Sequence, residues 1–382
     1  MYKYISPKNY FLKKRKIKPK VLLLGPLPPP YMGPSIATEI ILKSDLNKYY
    51  TIYHINTTTH EKLSTLGEIT ADIIKKNVRL YFKMIFLITK IRPDLIVIPI
   101  SQTVNGFIKD SIYILISRLF LRNTLLHLRG SNFKNLQCSS SCLMQIYTSK
   151  IIRSTQGIIV LGKKLRYIFA NYFSDDQIFI VPNGANYAFK PRKVRNSKLN
   201  LIYLGNLQPS KGIEDVIKSI AVLKLYYGNM NFELNVAGSW LDKVTKDKCI
   251  KLCIEKELPV IFHQQVIGYE KIAFLTSADI FIFPPREPEG HPWVIIEAMA
   301  AGLPIISTDQ GAITESVIDG INGFIVAKKN PEQIAEKIRF LVENPELRIT
   351  MGKESRRLYE ENFTEEKMVE NLIHAFDSVL KS

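Results

Sequence analysis

Two glutamates, Glu289 and Glu297, bracket one short run of this sequence, Glu-Gly-His-Pro-Trp-Val-Ile-Ile-Glu. The apolar residues Asp279 to Phe283 (DIFIF) read as a buried parallel strand, which Pro284-Pro285 must end because proline cannot donate to a ladder. Pro292 suits the first helical position, and Gly302 with Pro304 marks a stop, so a helix is expected over Pro292–Ala301. Glu289 then lies in the loop before the helix, and Glu297 sits in its second turn, leaning toward the N-terminus. Between them lie the amides of Gly290, His291 and Trp293, at the end where the helix dipole favours anions. Acceptors for hydroxyls stand beside donors for phosphate, the pair of functions that a nucleotide sugar needs.

The pattern E-G-(x)6-E-A-M-A-x-G-x-P, here Glu289 to Pro304, resembles the signature of retaining glycosyltransferases of family 4, the glycosyl transferases group 1. The resemblance implies a GT-B fold, with two doubly wound Rossmann-like α/β domains facing a cleft and a C-terminal helix crossing back to the first domain. It also implies that Glu289 contacts the donor hexose and Glu297 the ribose. Other matches follow along the chain. Gly33 and Ser35, in the loop after Lys20–Leu24, would face the donor diphosphate. His127-Leu128-Arg129-Gly130 resembles a segment whose His shapes the catalytic face; strand alternation gives His127 and Arg129 the same direction, and either could fill the role. Gly205-Asn206 through Lys211-Gly212 resembles G-R-L-x-x-x-K-G, in which Arg and Lys grip the diphosphate. Here the lysine is Lys211, but Asn206 stands where the arginine should be, which removes forked binding. Arg286 and Arg129 are candidates to replace it. Gly238 would line the nucleotide pocket, together with Gly290, His291, Pro292 and Trp293. No D-x-D motif occurs, so no metal is expected, and no cofactor beyond a UDP- or GDP-linked donor.

The elements that must position these residues alternate: strand patterns at 20–24, 51–56, 94–100, 124–128, 157–161 and 177–181, with helical ones between, including 36–46, 69–91, 107–121 and 163–172. That order calls for a parallel sheet covered on both faces. Pro182-Asn183-Gly184 reads as a tight turn, and Lys190–Lys198 as a linker. Strands at 199–204, 231–237, 260–263, 279–283, 303–307 and 323–326 repeat the pattern, and Glu365–Leu380 reads as the final helix. The expected division is a basic arm (1–19), an acceptor-side domain (20–189), a nucleotide-sugar domain (190–364) and the crossover helix (365–382).

The 382 residues carry a net charge of +17, very unevenly: residues 1–190 hold 28 Lys and Arg against 9 Asp and Glu, and the remainder 24 against 26. Met1–Lys20 and Lys75–Arg92 concentrate the excess among aromatic and apolar residues, a pattern suited to an anionic membrane surface at about 1 kcal/mol per well-placed basic side chain. Nucleic acid could use the same charge, but no recognised module accompanies it and none is expected as a partner. No run reaches the roughly 18 apolar residues of a membrane span, and no signal peptide is evident. Cys138, Cys142, Cys249 and Cys253 form two C-x3-C pairs without a zinc-like histidine, which favours packing roles in a reducing cytoplasm. The expected protein is a glycosyltransferase on the inner face of a cell membrane, acting on a glycan or lipid-linked acceptor. A nucleotide-sugar-binding scaffold without turnover and a GT-B sugar epimerase are the alternatives.

Overall fold

The computed structural model describes residues 17–59, 70–189, 198–228 and 231–381. Most of the basic arm and of the linker at 190–198 lies outside these residues. Among the described residues twelve short strands form two sheets. The first contains β1 (Lys20–Gly25), β2 (Thr51–Asn56), β3 (Leu95–Ile100), β4 (Asn123–Leu128), β5 (Gly157–Val160) and β6 (Ile178–Ile180), in the order β2-β1-β3-β4-β5-β6. The second contains β7 (Leu199–Leu204), β8 (Phe232–Ala237), β9 (Val260–His263), β10 (Ile280–Phe283), β11 (Ile305–Thr308) and β12 (Gly323–Val326), in the order β12-β11-β10-β7-β8-β9. All pairings within these sheets are parallel. Helices cover both faces, which is why β3 and β10 are apolar throughout rather than alternating.

In each sheet the strand order reverses at one place, between β1 and β3 and between β7 and β10. Doubly wound sheets bind ligands outside the carboxyl ends of the strands at such points. The loops after β1, β7 and β10 carry Gly33, Lys211 and Glu289. The helix Glu365–Lys381 returns to the first sheet and buries Met368, Leu372, Phe376 and Val379 against Val21, Leu23, Leu95 and Val97. Its i, i+4 spacing places them on one stripe.

Several elements depart from expectation. The helix expected at 36–46 begins at Gly33, because Pro34 costs nothing in a first turn, and ends at Lys43. There Ser44 turns extended, and its hydroxyl accepts from the Leu46 amide. In place of a helix over 163–172 there is a 3₁₀ segment, Lys163–Ile168, whose buried Leu165 and Ile168 lie three apart, the spacing such a turn eclipses. The helices Phe133–Ser139 and Cys142–Ile152 were not anticipated. Pro182-Asn183-Gly184 forms no left-handed turn. Gly184 is instead required by close approach, since a Cβ there would stand 2.3 Å from the Thr364 carbonyl oxygen. Cys249 and Cys253 share one side of the helix Lys243–Glu255, and burial pushes their thiols up to about 12 and about 11.

Candidate active site

A cleft of about 330 Å³ opens where the carboxyl ends of the two sheets face each other, and residues of both domains line it. Glu289 comes from the loop after β10 and Lys211 from the loop after β7. That second loop is pinned from two sides: the Ser210 carbonyl accepts the Arg286 amide at 2.9 Å, and the Tyr203 hydroxyl donates to the Lys211 carbonyl at 3.2 Å. The Lys211 ammonium donates to Glu289 Oε1, and both side chains are mostly buried.

A second pair of the same kind stands further along the cleft. Lys271, from the helix Gly268–Thr276, donates to Glu297 Oε1 at 2.5 Å, and the Tyr187 hydroxyl donates to the same oxygen at 3.3 Å. Glu297 is only 3% exposed, so its charge requires these partners. Burial and the nearby carboxylate hold the Tyr187 phenol well above its ordinary range, and it remains a neutral donor. Nothing in the sequence pattern singles out Lys271 or Tyr187. One is a helix lysine among many, and the other lies just before the expected linker.

The run Gly290–Trp293 closes the cleft against the first domain. Helix Trp293–Ala300 starts one residue later than expected, with Pro292 as its cap in extended conformation (ψ 127°) rather than its first residue. Among the described residues the amides of Gly290, His291 and Trp293 donate to no protein acceptor, which leaves them open to a ligand. A Cβ on Gly290 would come within 3.0 Å of the Gly130 Cα and 3.2 Å of the Arg129 carbonyl oxygen, so the two domains almost touch here. Trp293 Nε1 donates to the Gly33 carbonyl at 3.1 Å, spanning the cleft. The side chain of His291 is fully engaged elsewhere: its Nδ1 accepts the Asn183 amide at 3.0 Å, and its Nε2 donates to Ser316 Oγ at 2.6 Å. Burial pushes this imidazole down to about 3. It is a neutral seam between domains, and only its place in the loop brings it to the cleft wall.

Gly205, Asn206 and Gly238 also line the cavity. Gly205 (φ 156°) and Gly238 (φ 155°) take backbone values that side chains rarely adopt, and a Cβ on Gly238 would stand 1.8 Å from the Gly205 carbonyl oxygen. Two of the candidate residues lie off the cavity wall. Ser35 is fully buried; its hydroxyl donates to the Pro30 carbonyl at 2.7 Å and holds the loop, and it is not part of the cavity wall. His127 is 3% exposed within β4, with Nε2 unpartnered among the described residues, and burial drives its basicity well below the usual range. Arg129, just past the strand end, lines the cleft in its place. Arg286 does not reach the cleft: it is held by Asp215 (2.6 Å) and Glu214 (2.9 Å) at the start of the helix Ile213–Tyr227. Among the described residues no group of three His, Cys, Asp or Glu could hold a metal ion.

Residues 187–358 match the family model described as glycosyl transferases group 1. Over 194 residues the chain is 32% identical to the capsular polysaccharide biosynthesis glycosyltransferase CapM of Staphylococcus aureus, a match that spans 50% of this chain and 49% of CapM. The chain therefore aligns with only about half of that relative's length. Among solved structures, sucrose-phosphate synthase from Thermosynechococcus elongatus superimposes with a TM-score of 0.74 at 16% identity, covering 95% of this chain and all of that one. Anabaena HepE in complex with UDP and glucose gives 0.69 at 14% identity, covering 94% and 99%. These two likenesses concern the fold. Residues 187–358 thus carry the likeness to the glycosyl transferases group 1, and the chain as a whole shares the fold of these two structures.

Proposed function

We propose that this protein transfers a hexose or N-acetylhexosamine, with retention at the anomeric carbon, from a UDP- or GDP-linked donor to a glycan or lipid-linked acceptor in envelope polysaccharide synthesis. The observation that carries this reading is the convergence of Glu289, Lys211, Glu297 and the open amides of Gly290–Trp293 on one cleft at the strand-order reversals of both sheets. HepE, of like fold, was solved with UDP and glucose, and CapM is named for capsular polysaccharide synthesis.

In this reading the bond from the anomeric carbon to the diphosphate breaks, the acceptor oxygen bonds to the same face of that carbon, and the acceptor's hydroxyl proton leaves with the diphosphate. Lys211 and the amides of the Gly290 loop stabilise the departing diphosphate, a task usually worth about 3–4 kcal/mol per well-placed donor. Glu289 orients the hexose, and Glu297 receives ribose hydroxyls. Each carboxylate is held by a lysine, so binding exchanges partners. Hydroxyls take the carboxylates while phosphate takes Lys211. Replacing Glu289→Gln or Lys211→Ala should each cut sugar transfer at least about tenfold with the circular dichroism and melting profile retained. Undiminished transfer by either variant removes these roles.

One further feature supports an acceptor at a membrane. On the helix Ala71–Ile91, Ile74, Val78, Phe82 and Phe86 recur every four residues and are all exposed, flanked by Lys75, Lys76, Arg79, Lys83 and Lys90. An exposed apolar stripe between cations fits an anionic lipid surface, in keeping with a peripheral place on the inner face of the cell membrane. No described helix is long and apolar enough to cross a membrane. The variant Phe82→Asp/Phe86→Asp should lose co-sedimentation with vesicles containing phosphatidylglycerol while still binding nucleotide. Retained sedimentation removes the docking surface.

A further inference from the structure

Asn206 leaves the second domain without the guanidinium that would accompany Lys211, and that domain's own candidate, Arg286, is locked to Asp215 and Glu214. We infer that Arg129, delivered by the first domain, supplies the missing fork and grips the donor diphosphate from across the cleft. This rests on the donor reading above and adds the residue and the domain it comes from.

Three observations carry it. Arg129 lines the same cavity as Lys211, Gly33 and Gly290. Its backbone stands directly against the open amide run, since a Cβ on Gly290 would lie 3.2 Å from the Arg129 carbonyl oxygen. And among the described residues its guanidinium has no hydrogen bond and no ion pair, although the cleft contains two carboxylates. Each of those already has a lysine of its own, Lys211 on Glu289 and Lys271 on Glu297. A guanidinium left uncompensated in a part-buried site is unfavourable unless something else supplies the negative charge. Burial lowers it only to about 10, so it keeps its proton at neutral pH, and its field helps hold the adjacent buried His127 neutral. A planar fork matches two oxygens of a phosphate, which a lysine cannot do. The chemistry that completes the cleft is therefore a dianion spanning Lys211 on one wall and Arg129 on the other.

The test measures binding of UDP, GDP and ADP, and of uridine, guanosine and adenosine, to the full chain by calorimetry. For whichever diphosphate binds, Arg129→Ala should weaken affinity roughly tenfold or more and flatten the dependence of affinity on salt, while the matching nucleoside binds as before. Arg129→Lys should recover part of the loss. An unchanged diphosphate affinity in Arg129→Ala overturns the inference, as does an equal loss for nucleoside and diphosphate, which would make the residue merely structural. If the unsubstituted chain binds none of the six compounds, it is the donor reading that fails, and it does so before Arg129 is tested.

Discussion

The two walls of the cleft are built on opposite principles. On the second-domain wall every charge is answered: Lys211 holds Glu289, and Lys271 and Tyr187 hold Glu297. On the first-domain wall the charge is unanswered, because Arg129, which lines the cavity, has no acidic partner among the described residues. One wall is self-sufficient and the other is complete only with something in the cleft. Stability and ligand binding should therefore respond in opposite ways to substitution on the two sides.

The largest effect should follow from breaking a pair on the answered wall. Lys271→Ala leaves the 3% exposed Glu297 without its cation, and unpairing a buried charge costs about 3 kcal/mol. Chemical denaturation of the empty protein measures this, and a loss near zero would show that Tyr187 and solvent suffice. The double change Lys271→Met/Glu297→Leu, which removes both charges, should cost less than the single one.

A smaller effect concerns the seam between the walls. The folded state holds His291 at about 3 against an ordinary 6.5, so between these values the unfolded chain binds the extra proton. The stability His291 supports is complete above about pH 6.5 and is lost progressively as pH falls toward 3. Protonation at Nδ1 would also remove the acceptor of the Asn183 amide. Melting temperature should therefore decline over that window, and less steeply in His291→Gln. Identical slopes would assign the decline to other groups.

The smallest effect, and the one of opposite sign, belongs to the unanswered wall. Arg129→Met should leave the empty protein as stable as before or more stable by up to about 1 kcal/mol, because it removes an unpaired charge while keeping the volume. A clear loss of stability would mean that Arg129 is paired after all, and the contrast between the walls would disappear.

Some of this could be read along the chain, and the physical reason is locality. The apolar runs of β3 and β10, the alternation of strand and helix, and the crossover helix with its stripe of Met368, Leu372 and Phe376 are short-range periodicities, so their residue types disclose them. Glu289, Lys211 and Glu297 belong to loops and helix starts with distinctive spacing, and the structure brings all three to one cleft. The 3₁₀ segment at Lys163–Ile168 shows where locality fails. Its first amides are taken by Glu315 of the other domain, at 2.9 and 2.7 Å, a partner 152 and 151 residues away that no window along the chain contains.

By itself the sequence determined two doubly wound units and which loops could carry chemistry, because burial periodicity and backbone-breaking residues act over a few positions. Only the tertiary structure decided who partners whom: that Arg286 is occupied by Asp215 and Glu214, that His127 and Ser35 are buried away from the cleft, and that Arg129 is left facing it. Charges choose partners by distance in space, and that distance exists only once the two domains have been set face to face.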